Sequence, residues 1–422
     1  MSTHQHSFDE RFEFAGKARM WSLVGIALGV LGLIYGFLID GAEYAVQRTF
    51  SNLLLMSYYF VGVCLAGVFF CAYQYVSQSG WSVAILRVPH AFIRILPVAA
   101  LILILVVVAG LLAKHEVVEE GKKVMAPYLY AHWATPGITD VKSENYDKII
   151  AGKSVFLNVP FIVGMLVVFL ALYCIIGNKF VKFSNDEDSA GGMSNYNKSF
   201  KWACIFLVIF GFTFPIYAFG TIMSLEAHWF STMFGWYNLA AIHVSGIAVV
   251  ALTLIILKEN GYMTWVTENH LHDLGKILFG FSIFWTYLWF SQFFLVWYAN
   301  MPEETVYFYK RWEPQYKFWF WLNIVLNFLA PLLLLMSRGS KRLQNRMKIT
   351  AIVLIVGHWL DYYMMIMPGT VGEHRQFGVT EVLVFIGFAG LFTFLMLGAL
   401  SKFPSLIPKK HPFLEESLHH HI

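Results

Sequence analysis

Charged residues are scarce in this chain: Asp, Glu, Lys and Arg make up 13% of its 422 residues, where an ordinary soluble domain carries roughly 25%. An ordinary soluble domain is excluded. The formal net charge of +4 is small and spread along the chain, which is no nucleic-acid footprint. Cysteine is equally sparse. All four cysteines, Cys64, Cys71, Cys174 and Cys204, fall in apolar runs and none forms a Cys-x-x-Cys pair, so the chain by itself is expected to hold no iron–sulfur cluster and no metal. Cys64 and Cys71 share one helical face, a spacing that suits packing. His90, His243 and His358 fall at three different depths, whereas a membrane haem needs histidine pairs at matched depths. The first 18 residues are acidic and polar and no small-residue cleavage pattern closes the first apolar run, so a cleaved signal peptide is not expected. No linker sets off a soluble domain.

What the chain has in abundance is hydrocarbon: 58% hydrophobic and 18% aromatic residues. Apolar runs near 19–39, 51–76, 82–113, 154–177, 200–225, 231–257, 272–300, 316–337, 347–366 and 378–400 are each long enough to cross a bilayer core of about 30 Å as helices. The fold class expected is an all-α integral membrane protein with ten transmembrane helices. Spans two to five and six to nine are each suited to a four-helix bundle, with the first and last spans at the periphery. Residues 270–305 are the richest stretch. There Asp273, Lys276, Gly280, Tyr287 and Ser291 form one helical stripe, expected to face protein or water.

Lysine and arginine cluster in the N-terminal segment (Arg11, Lys17, Arg19), around 178–199 (Lys179, Lys182, Lys198), in the eighth-to-ninth connection (Arg338, Lys341, Arg342, Arg346) and in the tail (Lys402, Lys409, Lys410). All lie on one side of a ten-helix chain, which places both termini in the cytoplasm. Residues 1–18 are then a cytoplasmic segment, 19–400 the membrane domain and 401–422 a cytoplasmic tail. Residues 114–153 are long and aromatic enough to form an outer cap. Residues 178–199 are expected to form a cytoplasmic loop, of which 184–199, polar and rich in Gly and Ser, read as mobile. The short tract His419–His421 is assigned no role.

Ionisable groups inside a membrane are expensive and need a partner, water or a task. Candidates for a proton relay are Glu226, His228, His243, Asp273, Lys276, His358, Asp361 and Glu381, because carboxylates and imidazoles can exchange protons near neutral pH when burial and partners adjust them. Two polar funnels meeting near His243 would form a path. His90, Arg94, His270 and His272 form a candidate polar cluster on the cytoplasmic side. The alternative is structural: Arg87 and Arg94, seven apart on one face, suit snorkelling to the interface. His358 and Asp361 are helical neighbours for which relay and structure remain equally open. No catalytic residue is identified.

Four blocks, SLEAHWFSTMFGWY at 224–237, HDLGKILFGF to WYANMPEET at 272–305, KSVFLNVPF at 153–161, and SRGSKR with VGHWLDYYMMIMPG at 337–369, together resemble the NrfD-like family of polysulfide-reductase membrane anchors. Within it the likeness is greatest to the F-type membrane subunit of alternative complex III, a bacterial quinol:cytochrome c oxidoreductase. The resemblance implies a ten-helix protein with two four-helix bundles in the bacterial cytoplasmic (inner) membrane. It also implies partners: a sister NrfD-like quinol-oxidising subunit, an iron–sulfur protein, a multihaem cytochrome c, small membrane and lipid-anchored subunits, a terminal cytochrome oxidase in some assemblies, and lipids. Haem c and iron–sulfur clusters would reside in those partners, with menaquinol or ubiquinol as the substrate of the whole. Positions carried over are Glu226 and His228, Asp273 and Lys276, Glu303 and Glu304, and His358 and Asp361. Related sequences often carry proline and an upstream acid where this chain has Ala227 and Gly220, so a complete quinol site is not implied here.

The expectation is thus a non-redox subunit supporting assembly and conducting protons. A quinone-binding anchor is the runner-up. A stand-alone secondary transporter is the competing class, against which no pair of interrupted apolar segments marks a midplane site.

Overall fold

The computed structural model describes residues 8–119, 122–375 and 377–419; residues 1–7, and His420 and His421 of the terminal tract, lie outside them. Ten helices are long and apolar enough to cross a membrane. In chain order they are α1 (Gly16–Ile39, its last turn widened to a π-turn), α2 (Ala45–Val76), α3 (Arg87–Leu112), α4 (Val159–Ala190), α5 (Met193–Thr221), α6 (Met233–Glu259), α7 (Glu268–Ala299), α8 (Pro314–Leu335), α9 (Gln344–Thr370) and α10 (Val379–Leu400). The protein is an all-α multi-pass membrane protein. Helices α2–α5 close one four-helix ring and α6–α9 a second, joined mainly where α2 meets α6 and α9 and where α5 meets α6. Because α2, α6 and α9 form this seam, they are the most enclosed helices.

Small residues set the closest approaches. A Cβ on Gly246 would lie 2.1 Å from Ala66 Cβ, which fixes the α2–α6 contact. Outside the bundles, α1 packs chiefly on α10, and a Cβ on Gly29 would fall 2.4 Å from Gly387 Cα. Gly25 meets Gly390 and Gly32 meets Leu383 in the same way. Backbones that approach this closely gain dispersion contacts that lipid tails cannot supply, the usual basis of small-residue helix pairing in membranes.

At one end, the cap end, lies the segment between α3 and α4. Strands β1 (Lys114–Glu119) and β2 (Lys122–Pro127) pair antiparallel, and the short helix Lys148–Gly152 follows. Tyr130 Oη donates to the Thr221 carbonyl (2.8 Å) and Lys153 Nζ to the Ala227 carbonyl (2.7 Å), tying the cap to the α5–α6 turn. At the opposite, tail end, residues 401–418 fold back under the first bundle with Phe403, Leu406 and Ile407 buried. Ser417 Oγ donates to the Trp81 carbonyl at 2.7 Å.

The segment 184–199, expected as a mobile loop, is helical on both sides of a two-glycine turn. Helix α4 continues to Ala190, Gly191 and Gly192 turn the chain with φ of 68° and 75°, and α5 begins at Met193. Only glycine takes both positions without strain. Within the polar run SNDEDS, Asp188 and Asn185 have partners in the protein, described below, which lets the helix continue although the segment is not apolar. The stripe on α7 also differs from expectation. Asp273 is buried, but Lys276, Gly280 and Tyr287 face outward from the bundle. The inward face is Leu274, Leu278, Ser282, Trp285, Leu288 and Gln292.

Candidate functional site

The second bundle encloses a polar column centred on Asp361, which is fully buried in α9. A buried carboxyl group must replace the water it has lost. Tyr237 of α6 donates its hydroxyl to Oδ1, Asn323 of α8 donates to Oδ1 at 2.9 Å, and the indole of Trp285 of α7 donates to Oδ2 at 2.9 Å. Thus the other three helices of the ring each contribute one donor. Asn327 extends the column by donating to Asn323 Oδ1 at 2.6 Å. It sits in a π-turn, Val325–Leu329, and fits because Gly357 opposite has no side chain: a Cβ there would lie 2.4 Å from Asn327 Oδ1. Such one-turn widenings inside helices recur at functional positions.

His358, one turn along α9, is fully buried with Nδ1 3.7 Å from Asp361 Oδ2, too far for a hydrogen bond. Neither ring nitrogen has a hydrogen-bond partner among the described residues.

Toward the cap end, a cavity of about 20 Å³ touches Asp361, Tyr237, Asn323, Gln292 and Arg311, room for roughly one water. Beyond it Arg311, on the short helix Pro302–Trp312, pairs with Glu226 at 2.7 Å. Its other donors go to the carbonyls of Met364 (2.9 Å) and Tyr307 (2.7 Å), and its guanidinium lies 3.3 Å from the centre of the Tyr307 ring. Burial alone would favour loss of its proton, but Glu226 outweighs this and raises the Arg311 pKa. Glu226 fits against Gly369, where a Cβ would approach its Cγ to 2.6 Å.

Gly369 also lines a larger, polar vestibule of about 490 Å³ bounded by the cap, with His132, His228, Asp147 and Glu144 on its walls. His228 is half-exposed and pairs with Asp147 at 2.6 Å. Asp147 also caps the helix that follows it, accepting from the Ile149 and Ile150 amides. Burial opposes ionisation of Asp147, but the His228 hydrogen bond and those two amides prevail and lower its pKa. The pKa of His132 is lowered by burial and then by the charge of Lys310. The column therefore leads from Asp361 through a water-sized gap and a buried ion pair to an open polar chamber.

The other expected residues separate. His243 lies at the seam between bundles, ringed by Phe69, Tyr73 and Phe281, with Nε2 3.4 Å from the Tyr73 hydroxyl. The polar groups converge on Asp361 instead of on His243, because Asp361 alone has a donor from each neighbouring helix. Glu381 caps α10 by accepting from the Gly378 amide (2.8 Å) and pairs with Arg48 (3.2 Å), which also holds Asp40. It belongs to the junction of α10 with α2. Asp273 pairs with Lys276, and His272 lies 3.8 Å from Asp273, at the tail end of α7.

The four-residue polar cluster at this end is split. Arg94 lies over Phe403, its Cζ 4.0 Å from the ring centre, and His90 faces the same ring, both on the first bundle. His270 instead caps α7, accepting from the Thr267 amide at 3.0 Å. Arg87 does not snorkel. It is fully buried, paired with Asp188 and donating to Asn185 at 2.9 Å. Glu303 and Glu304 occupy the first turn of the helix that carries Arg311.

Arg311, Tyr237, Trp285, Asn323 and Asn327 were not among the sequence candidates. Arg311 is visible only as a basic residue in an extramembrane segment, and nothing local couples it to Glu226, 85 residues earlier. No family model matches this chain, and no curated protein does. Among the described residues no group of three or more His, Cys, Asp or Glu side chains is placed to hold a metal ion.

Proposed function

We propose that this chain is a non-redox integral subunit of a quinol-oxidising respiratory complex of the alternative complex III kind, in the bacterial cytoplasmic membrane with both termini inside. In this reading its second bundle conducts protons for quinol chemistry performed in partner chains. The cap end is then extracytoplasmic. The observation that supports the relay best is the column Asp361–Arg311–Glu226, in which buried ionisable groups are separated only by a gap of one water between Asp361 and Arg311 and lead to a polar chamber bounded by the cap. Asp361 is the central proton carrier of this reading. His358, with both nitrogens free of protein partners, stands beside it on the side facing the tail end. Asp273 and Lys276 supply the entry at the inner face. Glu226, in contact with Arg311, passes protons to His228 and Asp147 in the vestibule. Burial keeps these exchanges away from bulk water, which is what coupling requires.

Two experiments test the reading. Gentle-detergent purification from native membranes should bring down a multihaem cytochrome and an iron–sulfur protein at constant stoichiometry by mass spectrometry; a chain isolated alone would favour the transporter class. In the assembled complex, Asp361→Asn should lower proton translocation while leaving subunit composition unchanged. Normal translocation in that variant removes Asp361 from the path.

A second reading, the quinone-binding anchor, is favoured by one feature. Between α2, α6, α9 and α10 lies an apolar cavity of about 270 Å³ walled by Tyr59, Phe60, Phe385, Phe388 and Phe392 among others. The Tyr59 hydroxyl is already committed to the Ile355 carbonyl at 2.9 Å. The cavity thus suits an isoprenoid tail better than a quinone ring. Photolabelling with an azidoquinone, with protection by excess quinone, tests it.

A further inference from the structure

The first bundle has its own concentration of unsatisfied groups, at the end opposite the vestibule. Tyr75 Oη, Arg87 Nε, both nitrogens of His90, Ser184 Oγ, Glu187 Oε1 and His411 Nε2 are buried without a hydrogen-bond partner among the described residues. They come together. Tyr75 and His411 have ring centres 6.5 Å apart, Tyr196 and His411 are 5.5 Å apart, and Tyr75 and Tyr196 are 5.9 Å apart. His90 is one helical turn from both Arg87 and Arg94. Buried polar atoms are normally paired with protein or ordered water, so a group of such atoms without a protein partner calls for water.

The charges point the same way. Glu187 and Asp188 are two carboxylates beside one buried guanidinium, Arg87, and Asp188 takes the ion pair. Arg94 spends its charge on the Phe403 ring. Two carboxylates sharing one cation leave the second with a proton to hold and to exchange. Lys409 and Lys410 do not compensate: Lys409 donates its backbone amide to Asp188 (2.8 Å) and its ammonium to Asp9, while Lys410 Nζ bonds the Ser189 carbonyl (2.8 Å).

The same contacts close the site. Residues 401–418 run beneath it, with Phe403 against Arg87, His90 and Arg94, His411 against Tyr75 and Tyr196, and Ser417 anchored to Trp81. We infer that the tail end of the first bundle encloses a hydrated, proton-exchanging site built by Glu187, Tyr75, His90 and His411, whose ligand is bound water and whose lid is the chain's own 401–418 segment. This site is separate from the Asp361 column and does not rest on the respiratory reading.

The test is infrared spectroscopy of the protonated carboxyl C=O stretch, on the full chain in lipid nanodiscs with whatever partners co-purify. Wild-type protein is expected to show a buried carboxylic-acid band that shifts down in D2O. Glu187→Gln should lose that band, whereas Asp361→Asn should retain it. Phe403→Ala, which opens the lid, should shorten the time for the D2O shift. A folded Glu187→Gln protein with an unchanged carboxyl spectrum overturns the inference. So does a Glu187 band that exchanges no faster when Phe403 is removed. If Glu187→Gln does not accumulate, Glu187→Asp serves instead, because moving the acid by one methylene should change the band frequency, and an unmoved band again overturns the assignment.

Discussion

The two four-helix rings share a topology and differ in where they keep their polar groups. In the first, the middle is filled by Tyr58, Cys64, Tyr173 and Tyr217, the charge inside the ring lies at the tail end around Arg87, Glu187 and Asp188, and Arg48 of α2 pairs with Asp40 and Glu381 at the cap-end junction with α10. In the second, Asp273 and His272 sit at the tail end of α7, and a separate polar column starts at mid-helix with Asn327, Asn323 and Asp361 and continues to the cap end through Arg311 and Glu226. The same ring of helices thus opens, chemically, toward opposite faces. A helix bundle fixes only the distance between facing side chains. Which depth becomes polar is decided by which helices carry donors at matching heights.

The largest test of this contrast removes a buried, ion-paired arginine at the polar end of each ring. Arg311→Ala strands Glu226 and Arg87→Ala strands Asp188, and loss of one partner of a buried pair typically costs about 3–5 kcal/mol. Thermal unfolding in detergent should fall sharply in both variants. An Arg311→Ala protein as stable as wild type would mean that water already solvates Glu226, and that the second ring is open further than the ion pair suggests.

Next in size is a pH effect confined to the first ring. The pKa of His411 is depressed to about 4 by burial and then by Arg87, against an ordinary value near 6.5. Between those values the unfolded chain binds the proton and the folded one does not, so stability from this residue is full above pH 6.5 and is lost as pH falls toward 4. That amounts to about 3 kcal/mol at most. Melting temperatures measured from pH 7.5 to pH 5 should fall more steeply in wild type than in His411→Gln; equal slopes would show that the tail does not shield this histidine.

A smaller effect separates the rings from the periphery. Gly29→Leu drives a side chain into the Gly387 backbone, and overpacking of this kind costs about 1–3 kcal/mol. Cysteine cross-linking between α1 and α10 should fail while α2–α9 cross-links persist. Smallest is Tyr73→Phe. It removes one hydrogen bond to His243 at the seam between rings, a net loss of about 1 kcal/mol, and proton translocation in the assembled complex should stay at the wild-type level. A fall comparable to that of Asp361→Asn would return His243 to the path.

Particular residues show what could be read in advance. The ten spans were legible because crossing a bilayer demands long apolar runs. His358 and Asp361 were legible as a pair since three residues make one helical turn. The ends of α4 and α5 were not: hydropathy reads SNDEDS as loop, whereas Asp188 is helical because Arg87 and the Lys409 amide receive it. The polar stripe on α7 was legible as a stripe but not in its direction, since periodicity gives a face and not a neighbour. Glu381 had the right chemistry for a relay and proved to be committed to Arg48 and its own helix cap.

The sequence by itself determined that this chain is a ten-span membrane protein, because the cost of exposing backbone and charge to hydrocarbon acts on each segment separately and leaves its mark in local composition. Only the tertiary structure decided that Asp361 collects Tyr237, Trp285 and Asn323, that Arg311 closes on Glu226, and that the tail seals the first ring. Those pairings join residues up to 336 positions apart. Desolvated polar groups find partners by distance in space, and no local pattern records that distance.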